Sequence, residues 1–572
     1  MDNTVSKRLR LDKDGPSLQI TTLSTETPCG TTVLLFEQCS RKILEDIIHE
    51  KGIHENQEQE MALRIVCEHV IERNPIQLLM HLSGTGGTGK SYIIGAIIAF
   101  FQRIGCSSHL RVTAPTGCAA VLIRGSTIHS LTGLPKRKGQ TNQSELEDLW
   151  RGVTYLIIDE VSMISAKLLS EISHRLSLAK SGDVSAADKP FGNVNVIFTG
   201  DLGQLKPVAE QPVFGHRLVQ KLTATVTDTP SGQSALHGAC LWRQVNTVVI
   251  LRKNWRARHD VPYINLLEQV RKGIGWTTKT ELNDEQSGVG GNYQESDYDT
   301  LRGRQIDHLM SCAPAELEAF RDAPIIVSRK RVRDAINFRK ARMFAQANHR
   351  SLYLYKSKDF CKNKEVPSNV RHLVWSLSSS TTEDMLGILP LCSEMPVMIT
   401  ENISVSNGVV NGTQGTVDSV SFTVDDDGNR YATCVFIRVP DCNICLVDGQ
   451  PDIVPVMSST IHFRYSDSTN GNFMVKRIQL PVLPTFVFTD YKAQGCSLEY
   501  VVLDLSCSRS LQSVYVMLSR AVRLKRILIL RWFAPQKVYQ TLSQDMRDEF
   551  LRIENLARET IVTYNENHTI CL

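Results

Sequence analysis

The sequence predicts an α/β fold: two parallel-sheet cores with a small antiparallel β insertion in the second. Three observations predict it. The glycine-rich stretch Gly84-Thr85-Gly86-Gly87-Thr88-Gly89-Lys90-Ser91 sits between the apolar runs Leu78–Leu82 and Tyr92–Ile98, which reads as strand, turn and helix. Apolar strands alternate with helical stretches, as in a sheet covered on both faces. Turn signals gather between residues 386 and 484, where Asp426-Asp427-Gly428-Asn429 separates the alternating runs Val420–Val424 and Tyr431–Ile437.

Residues 1–50 are read as an extension. Its polar start leads to Leu34, Leu35, Ile43, Leu44, Ile47 and Ile48 at helical spacing. Met61, Leu63, Ile65, Val66, Val70 and Ile71 predict another helix, which opens the first core at 51–240. Strands follow at Arg111–Ala114, Tyr155–Ile158 and Val194–Phe198. Their polar endings at 115, 159 and 200 join that at 84, as expected where ligand groups collect at the carboxyl ends of parallel strands. A second core is assigned to 241–385 and 485–545, from the runs Thr247–Leu251, Pro324–Ser328, Tyr500–Asp504 and Ile527–Leu530. The insertion occupies 386–484, a short insertion lies at about 132–149 in the first core, and 546–572 is a tail. Acidic residues among glycines at 279–300 read as an exposed loop.

Composition narrows the class. With 42% apolar and 22% charged residues, the 572-residue chain suits a globular protein of about three to five units. A net charge of +4 does not advertise nucleic acid, so any such path must be a local groove. No run reaches the roughly 18 apolar residues of a membrane span. Met1-Asp2-Asn3-Thr4 lacks the apolar core of a secretory signal. Lys7-Arg8-Leu9-Arg10 suggests a nuclear address, with the mitochondrion as the rival. Fifteen scattered cysteines read as reduced thiols, and Cys442-x-x-Cys445 lacks the second ligand pair a zinc site needs.

The glycine-rich stretch carries the chemistry. Its backbone N–H groups can curl around phosphate oxygens, while Lys90 meets the β/γ-phosphates and the Ser91 hydroxyl a Mg²⁺ ion. A nucleoside triphosphate and Mg²⁺ are therefore the expected cofactors. Asp159-Glu160, at a strand end some seventy residues further on, is the matching acidic pair: Asp159 for the metal, Glu160 for the attacking water. The densest basic stretch runs Arg329-Lys330-Arg331-Val332-Arg333 and on through Arg342.

With these residues in view, the chain resembles Pif1-type DNA helicases of superfamily 1, subgroup B, over roughly residues 52–535. Gln59 matches the adenine-reading glutamine, and Gly84 to Ser91 match motif I. Ala114-Pro115-Thr116-Gly117 with Ala119-Ala120, and Ser126-Thr127-Ile128-His129-Ser130, match motif Ia and its continuation. Asp159 to Met163, Gly200 to Pro207 and Leu251 to Arg256 match motifs II to IV. Lys492-Ala493-Gln494-Gly495 and Tyr515 to Ala521 match motifs V and VI.

The resemblance implies two RecA-like cores, an SH3-like insertion and an ATP-driven helicase working 5′→3′ on single-stranded and tailed duplex DNA, in DNA repair, recombination or genome maintenance, as a monomer. It implies that Gln204 senses the γ-phosphate, that Arg256 and Arg520 reach it from the second core, and that Gly495 lies by the nucleotide. Thr116, Thr127, His129, Asn337 and Lys492 would meet DNA phosphates, and Lys136-Arg137-Lys138 would sit at the strand-separating wedge. Three residues depart from the family pattern: Cys118 for lysine, Tyr491 for histidine and Ala493 for serine. All fall on the DNA side. They leave a second reading, a catalytically decayed DNA-binding remnant of a mobile-element helicase.

Overall fold

The computed structural model describes residues 30–133, 143–182, 189–215, 229–274, 296–404, 407–440, 442, 452–467 and 471–569. Lys7–Arg10, Lys136–Lys138, most of the acidic 279–300 stretch and Cys445 lie outside them.

The first core is a six-stranded sheet of β1 (Leu79–Gly84), β2 (Leu110–Ala114), β3 (Ser126–Thr127), β4 (Tyr155–Ile158), β5 (Asn195–Gly200) and β6 (Thr247–Leu251). The order is β3-β2-β4-β5-β1-β6, with every pair parallel. Side chains alternate between two apolar layers, as the pleat requires. Met80, Leu82, Ile157, Ile197 and Val249 pack against helices Gly30–Glu50, Gln57–Ile71 and Lys90–Arg103. Leu79, Leu156, Ile158, Phe198 and Val248 face the other layer, which holds helix Ala166–Ala179 and Trp242. Phe198 lies edge-on to Trp242, with ring centroids 5.3 Å apart, so it is core and not a base-stacking platform.

β6 corrects a sequence expectation. Thr247–Leu251 was assigned to the second core, yet it pairs with β1 from Met80↔Thr247 to Gly84↔Leu251. An apolar strand is legible in sequence, but which sheet edge it completes depends on distant partners. The second core is a four-stranded parallel sheet, in the order Val487–Thr489, Ile325–Val327, Val501–Leu503, Ile527–Ile529. One continuous apolar cluster joins it to the first core, with Leu503, Val516 and Ile529 in the same layer as Phe198 and Trp242.

The insertion is larger than its predicted span. The Asp426–Asn429 turn does join antiparallel strands, Gln414–Val424 and Arg430–Arg438. These belong to a seven-stranded sheet, beside a separate four-stranded sheet containing Ser459–Asp467 and Gly471–Gln479. Strands Tyr353–Lys356 and Lys358–Cys361, upstream of 386, enter the two sheets. Four-residue strands carry too little alternation to be read without their partners. Within that four-stranded sheet, Arg477 is buried in a two-pronged ion pair with its cross-strand partner Asp359, at 2.9 and 2.8 Å.

The stretch read as a tail is a 26-residue helix, Gln544–Thr569, that returns to the first core. Glu549 accepts from Trp242 Nε1 at 2.7 Å, and the Thr560 hydroxyl accepts from the Val248 N–H at 2.9 Å. Met546, Ile553 and Ala557 complete the apolar layer.

Candidate functional site

β1 delivers the chain into the phosphate loop, and helix Lys90–Arg103 carries it away. Gly87 and Gly89 hold φ of 93° and 96°, a region costly for any residue with a Cβ. They are also crowded: a Cβ on Gly87 would lie 2.5 Å from Arg256 Cβ, and one on Gly89 would lie 2.4 Å from Gln59 Nε2. Both glycines thus admit neighbours as well as phosphate. Asn56 caps the helix carrying Gln59 by accepting from the Glu58 and Gln59 N–H groups, a contact stabilising by about 1 kcal/mol. Buried Gln59 then donates to the Thr88 carbonyl at 3.0 Å, which seats it against the loop.

A cavity of about 260 Å³ opens beside the loop, lined by Gly86, Gly87, Gly89, Lys90, Ser91, Asp159, Glu160, Gln204, Arg256, Gly495 and Arg520 among others. The predicted metal and hydrolytic residues and most of the phosphate loop therefore line one cavity, while Gly84, Thr85, Thr88 and Gln59 do not line it. A Cβ placed on Gly86 would lie 3.5 Å from Arg256 Nη1, 3.8 Å from Arg520 Nη2 and 3.9 Å from Gln204 Nε2. Lys90 donates to the Gly84 and Thr85 carbonyls, at 2.7 and 3.1 Å.

Arg256 departs from the sequence expectation. It follows β6 of the first core, and the neighbouring Trp255 N–H donates to the Gly87 carbonyl at 2.9 Å. Its guanidinium reaches the other core by donating to the Ser519 carbonyl at 3.2 Å. Of the two arginines, Arg520 is the one delivered by the second core. It is 1% exposed and held by the Val516, Ala493 and Cys496 carbonyls and the Ser519 hydroxyl.

The electrostatics suit a polyphosphate with a divalent cation. Burial raises the Asp159 carboxyl above its ordinary value, although Thr199 donates to it. Burial and then the Asp159 charge raise Glu160. Burial followed by Arg520 repulsion brings the Arg256 guanidinium down to about 10, and burial lowers Lys90 and Arg520. A buried acid pair is relieved by a cation, and a buried arginine pair by an anion. Gln204 Oε1 is buried without a hydrogen-bond partner among the described residues, a polar atom left for a ligand. Ser91 and Asp159 offer the hydroxyl and carboxylate oxygens that Mg²⁺ takes alongside phosphates, so the donor set fits that ion.

A second cavity, of about 210 Å³, brings together Thr116, Thr127, His129 and Lys492 with Cys118, Asn402, Asn411 and Tyr491. Two of the departing residues, Cys118 and Tyr491, have structural work here. The Cys118 thiol donates to the Asn411 carbonyl at 3.4 Å, Lys492 donates to the Asn411 side chain, and Tyr491 OH donates to the Lys206 carbonyl at 3.0 Å. Asn411 belongs to the insertion, whose turn thus lies over the groove.

Asn337 is not brought to that groove. It is 2% exposed, and its amide donates to the Val487 carbonyl and accepts from the Val487 N–H, which ties its helix to the edge of the second sheet. A side chain this buried, bonded to both backbone groups of one residue and absent from the groove's lining, is not presented to a strand there, so the assignment of Asn337 to DNA is corrected.

Several site residues were not singled out from sequence. Gln494 donates to Glu160 at 2.9 Å, and Asn254 donates to the Gly86 carbonyl at 3.1 Å. Both lie inside the motif V and motif IV stretches, so position in a motif was the available signal. Asn411 had only a turn signal.

Comparison with known proteins agrees with this geometry. Residues 54–281 match the family described as PIF1-like helicase. The chain resembles the Pif1-type helicases. It is 23% identical over 508 residues to the ATP-dependent DNA helicase RRM3 of Saccharomyces cerevisiae, covering 83% of this chain and 65% of that protein. The chain thus spans less than two thirds of this relative, and 21% of the ATP-dependent DNA helicase PIF1 of the same species, with which 200 residues are 30% identical. The crystal structure of Pif1 helicase from Candida albicans shares the fold at a TM-score of 0.56 and 22% identity, over 87% of this chain and 99% of that one. Bacteroides Pif1 bound to ssDNA gives 0.57 and 19%, over 87% and 96%. The fold they share with this chain is that of two parallel-sheet cores with an inserted β region.

Proposed function

We propose that the chain is an ATP-dependent DNA helicase that moves 5′→3′ along single-stranded DNA. The observation that carries this reading is that Lys90, Asp159, Glu160, Gln204, Arg256 and Arg520 line one cavity, with Arg520 supplied by the other core. Lys90 and the loop N–H groups would hold the β/γ-phosphates, and Ser91 and Asp159 the Mg²⁺ ion, which when bound neutralises phosphate charge. Glu160 takes the proton of the attacking water, and Gln204 senses the γ-phosphate. Arg256 and Arg520 stabilise charge spreading over the transferring phosphoryl. Because Arg520 comes from the second core, hydrolysis depends on closure. Loss of the shared phosphate lets the cores part, and alternating grip at the groove around Thr116, Thr127, His129 and Lys492 becomes steps along the strand. Monomeric action and a nuclear location, with the mitochondrion as alternative, are part of the same proposal.

The decayed-remnant reading draws support from the strand side, where Lys492 and Cys118 are occupied by Asn411. One experiment separates the two. Unwinding of duplexes with either a 5′ or a 3′ single-stranded tail is measured beside ATP turnover, with wild type and Lys90→Ala. The helicase reading expects DNA-stimulated turnover, unwinding of the 5′-tailed substrate only, and loss of both in Lys90→Ala while strand binding persists. Strand binding by wild type without ATP turnover would favour the remnant.

A further inference from the structure

Asp201 follows the end of β5 and is fully buried, and it is not among the residues lining the nucleotide cavity. Its carboxylate accepts from three directions. Arg271 Nε donates at 2.8 Å, the Gly203 N–H at 2.9 Å and Tyr515 OH at 2.9 Å. Its carbonyl accepts from the Gln204 N–H at 3.0 Å, so Asp201 shapes the turn that presents Gln204. Tyr515 sits in helix Leu511–Leu518, immediately before Arg520. The Tyr515–Asp201 bond therefore runs directly between the elements that place Gln204 and Arg520.

Helix Val261–Lys272 braces this bond from outside. Arg271 at one end holds Asp201, and Tyr263 at the other donates to the Leu518 carbonyl. Gly203 makes room for it: a Cβ there would lie 2.8 Å from Arg271 Cγ. Burial opposes the Asp201 charge, but Arg271 outweighs it and the carboxyl titrates below its ordinary value. The acceptor therefore stays ionised at neutral pH.

We propose that Asp201, Tyr515 and Arg271 are positioning residues that lock the Gln204 turn to the Arg520 helix, so that γ-phosphate sensing and arginine insertion move together. The inference rests on the ATP-hydrolysis reading of the adjacent cavity. Tyr515 OH is the joint: removing it leaves Asp201 still paired with Arg271, so the fold is spared while the inter-core bond is lost.

The test is steady-state ATP turnover of the full chain with single-stranded DNA, for wild type, Tyr515→Phe, Gln204→Ala and the double variant, with thermal unfolding beside each. Tyr515→Phe is expected to lower kcat about ten- to hundredfold, as a catalytic group misplaced by about 1 Å does. KM for ATP should stay within about twofold, because the loop N–H groups and Lys90 are untouched. In the Gln204→Ala background the same change should add little, since a joint has no effect once one of its ends is gone. Arg271→Lys should retain more turnover than Arg271→Met. Wild-type kcat in Tyr515→Phe, losses that multiply in the double variant, or a loss that only tracks the unfolded fraction would each overturn the proposal. A wild-type chain without ATP turnover would overturn the hydrolysis reading and this inference with it; an active wild type beside an equally active Tyr515→Phe overturns the inference alone.

Discussion

On the nucleotide side of the inter-core cleft, each polar group lines one cavity and is backed by motif neighbours: Lys90 by loop carbonyls, Glu160 by Gln494, Arg520 by three carbonyls and a hydroxyl. On the strand side, Thr116, Thr127, His129 and Lys492 also share a cavity, but Asn411 of the insertion engages both Lys492 and Cys118. The difference follows from what each side must do. Phosphoryl transfer demands donors at set distances from developing charge, so the chemistry dictates the residues. Holding a strand by its phosphates needs only donors facing the backbone, and one donor can replace another. Two of the three departures from the family pattern, Cys118 and Tyr491, line the strand-side cavity, where substitution is cheap; the third, Ala493, meets Arg520 through its backbone carbonyl alone, which any residue supplies.

That contrast can be broken in four ways. The largest effect is expected from Arg520→Lys, which keeps the charge but loses the fork. Turnover should fall about a thousandfold with strand binding intact, read by ATPase rate and fluorescence anisotropy. A loss below tenfold would mean that the second core contributes little.

The next is pH. Burial and then Asp159 raise the Glu160 carboxyl, and Glu160 must be ionised to accept a proton. As pH falls through that raised value, kcat/KM should drop about tenfold per unit, starting above the ordinary carboxylate range. Glu160→Gln should lower the rate by about 10²–10⁴ and flatten that limb; an unaltered acid limb in this variant would assign it elsewhere.

Lys492→Ala should weaken single-stranded DNA binding about five- to tenfold at low salt and reduce the salt slope by about 1, with turnover at saturating DNA little changed. The smallest effect is expected from Asn411→Ala, which frees Lys492. Strand affinity should rise about two- to threefold, and a fall would show that Asn411 itself helps to hold the strand.

Much of the nucleotide site was legible because its residues are contiguous in motifs whose spacing chemistry imposes. Gly84 to Ser91 could be recognised from one chain, as could Asp159-Glu160 at the end of an apolar run. Asn337 misled for the opposite reason: a buried asparagine bonded to Val487 and an exposed one reaching a phosphate look the same in a basic helix. Arg256 was assigned to the right cavity but the wrong core, because strand character says nothing about which sheet a strand joins.

The chain by itself determined the alternation of apolar strands and helices, the glycine turn that leaves Lys90 and Ser91 beside a phosphate, and the hairpin at Asp426–Asn429. These depend on periodicity and backbone freedom, which are local. Only the tertiary structure decided that Thr247–Leu251 edges the first sheet, that residues 544–569 fold back on Trp242 and Val248, that Asn411 covers the groove, and that Tyr515 meets Asp201. Each of these joins residues far apart in the chain. Such pairings are chosen by burial and hydrogen-bond satisfaction across the whole molecule, and no local pattern records them.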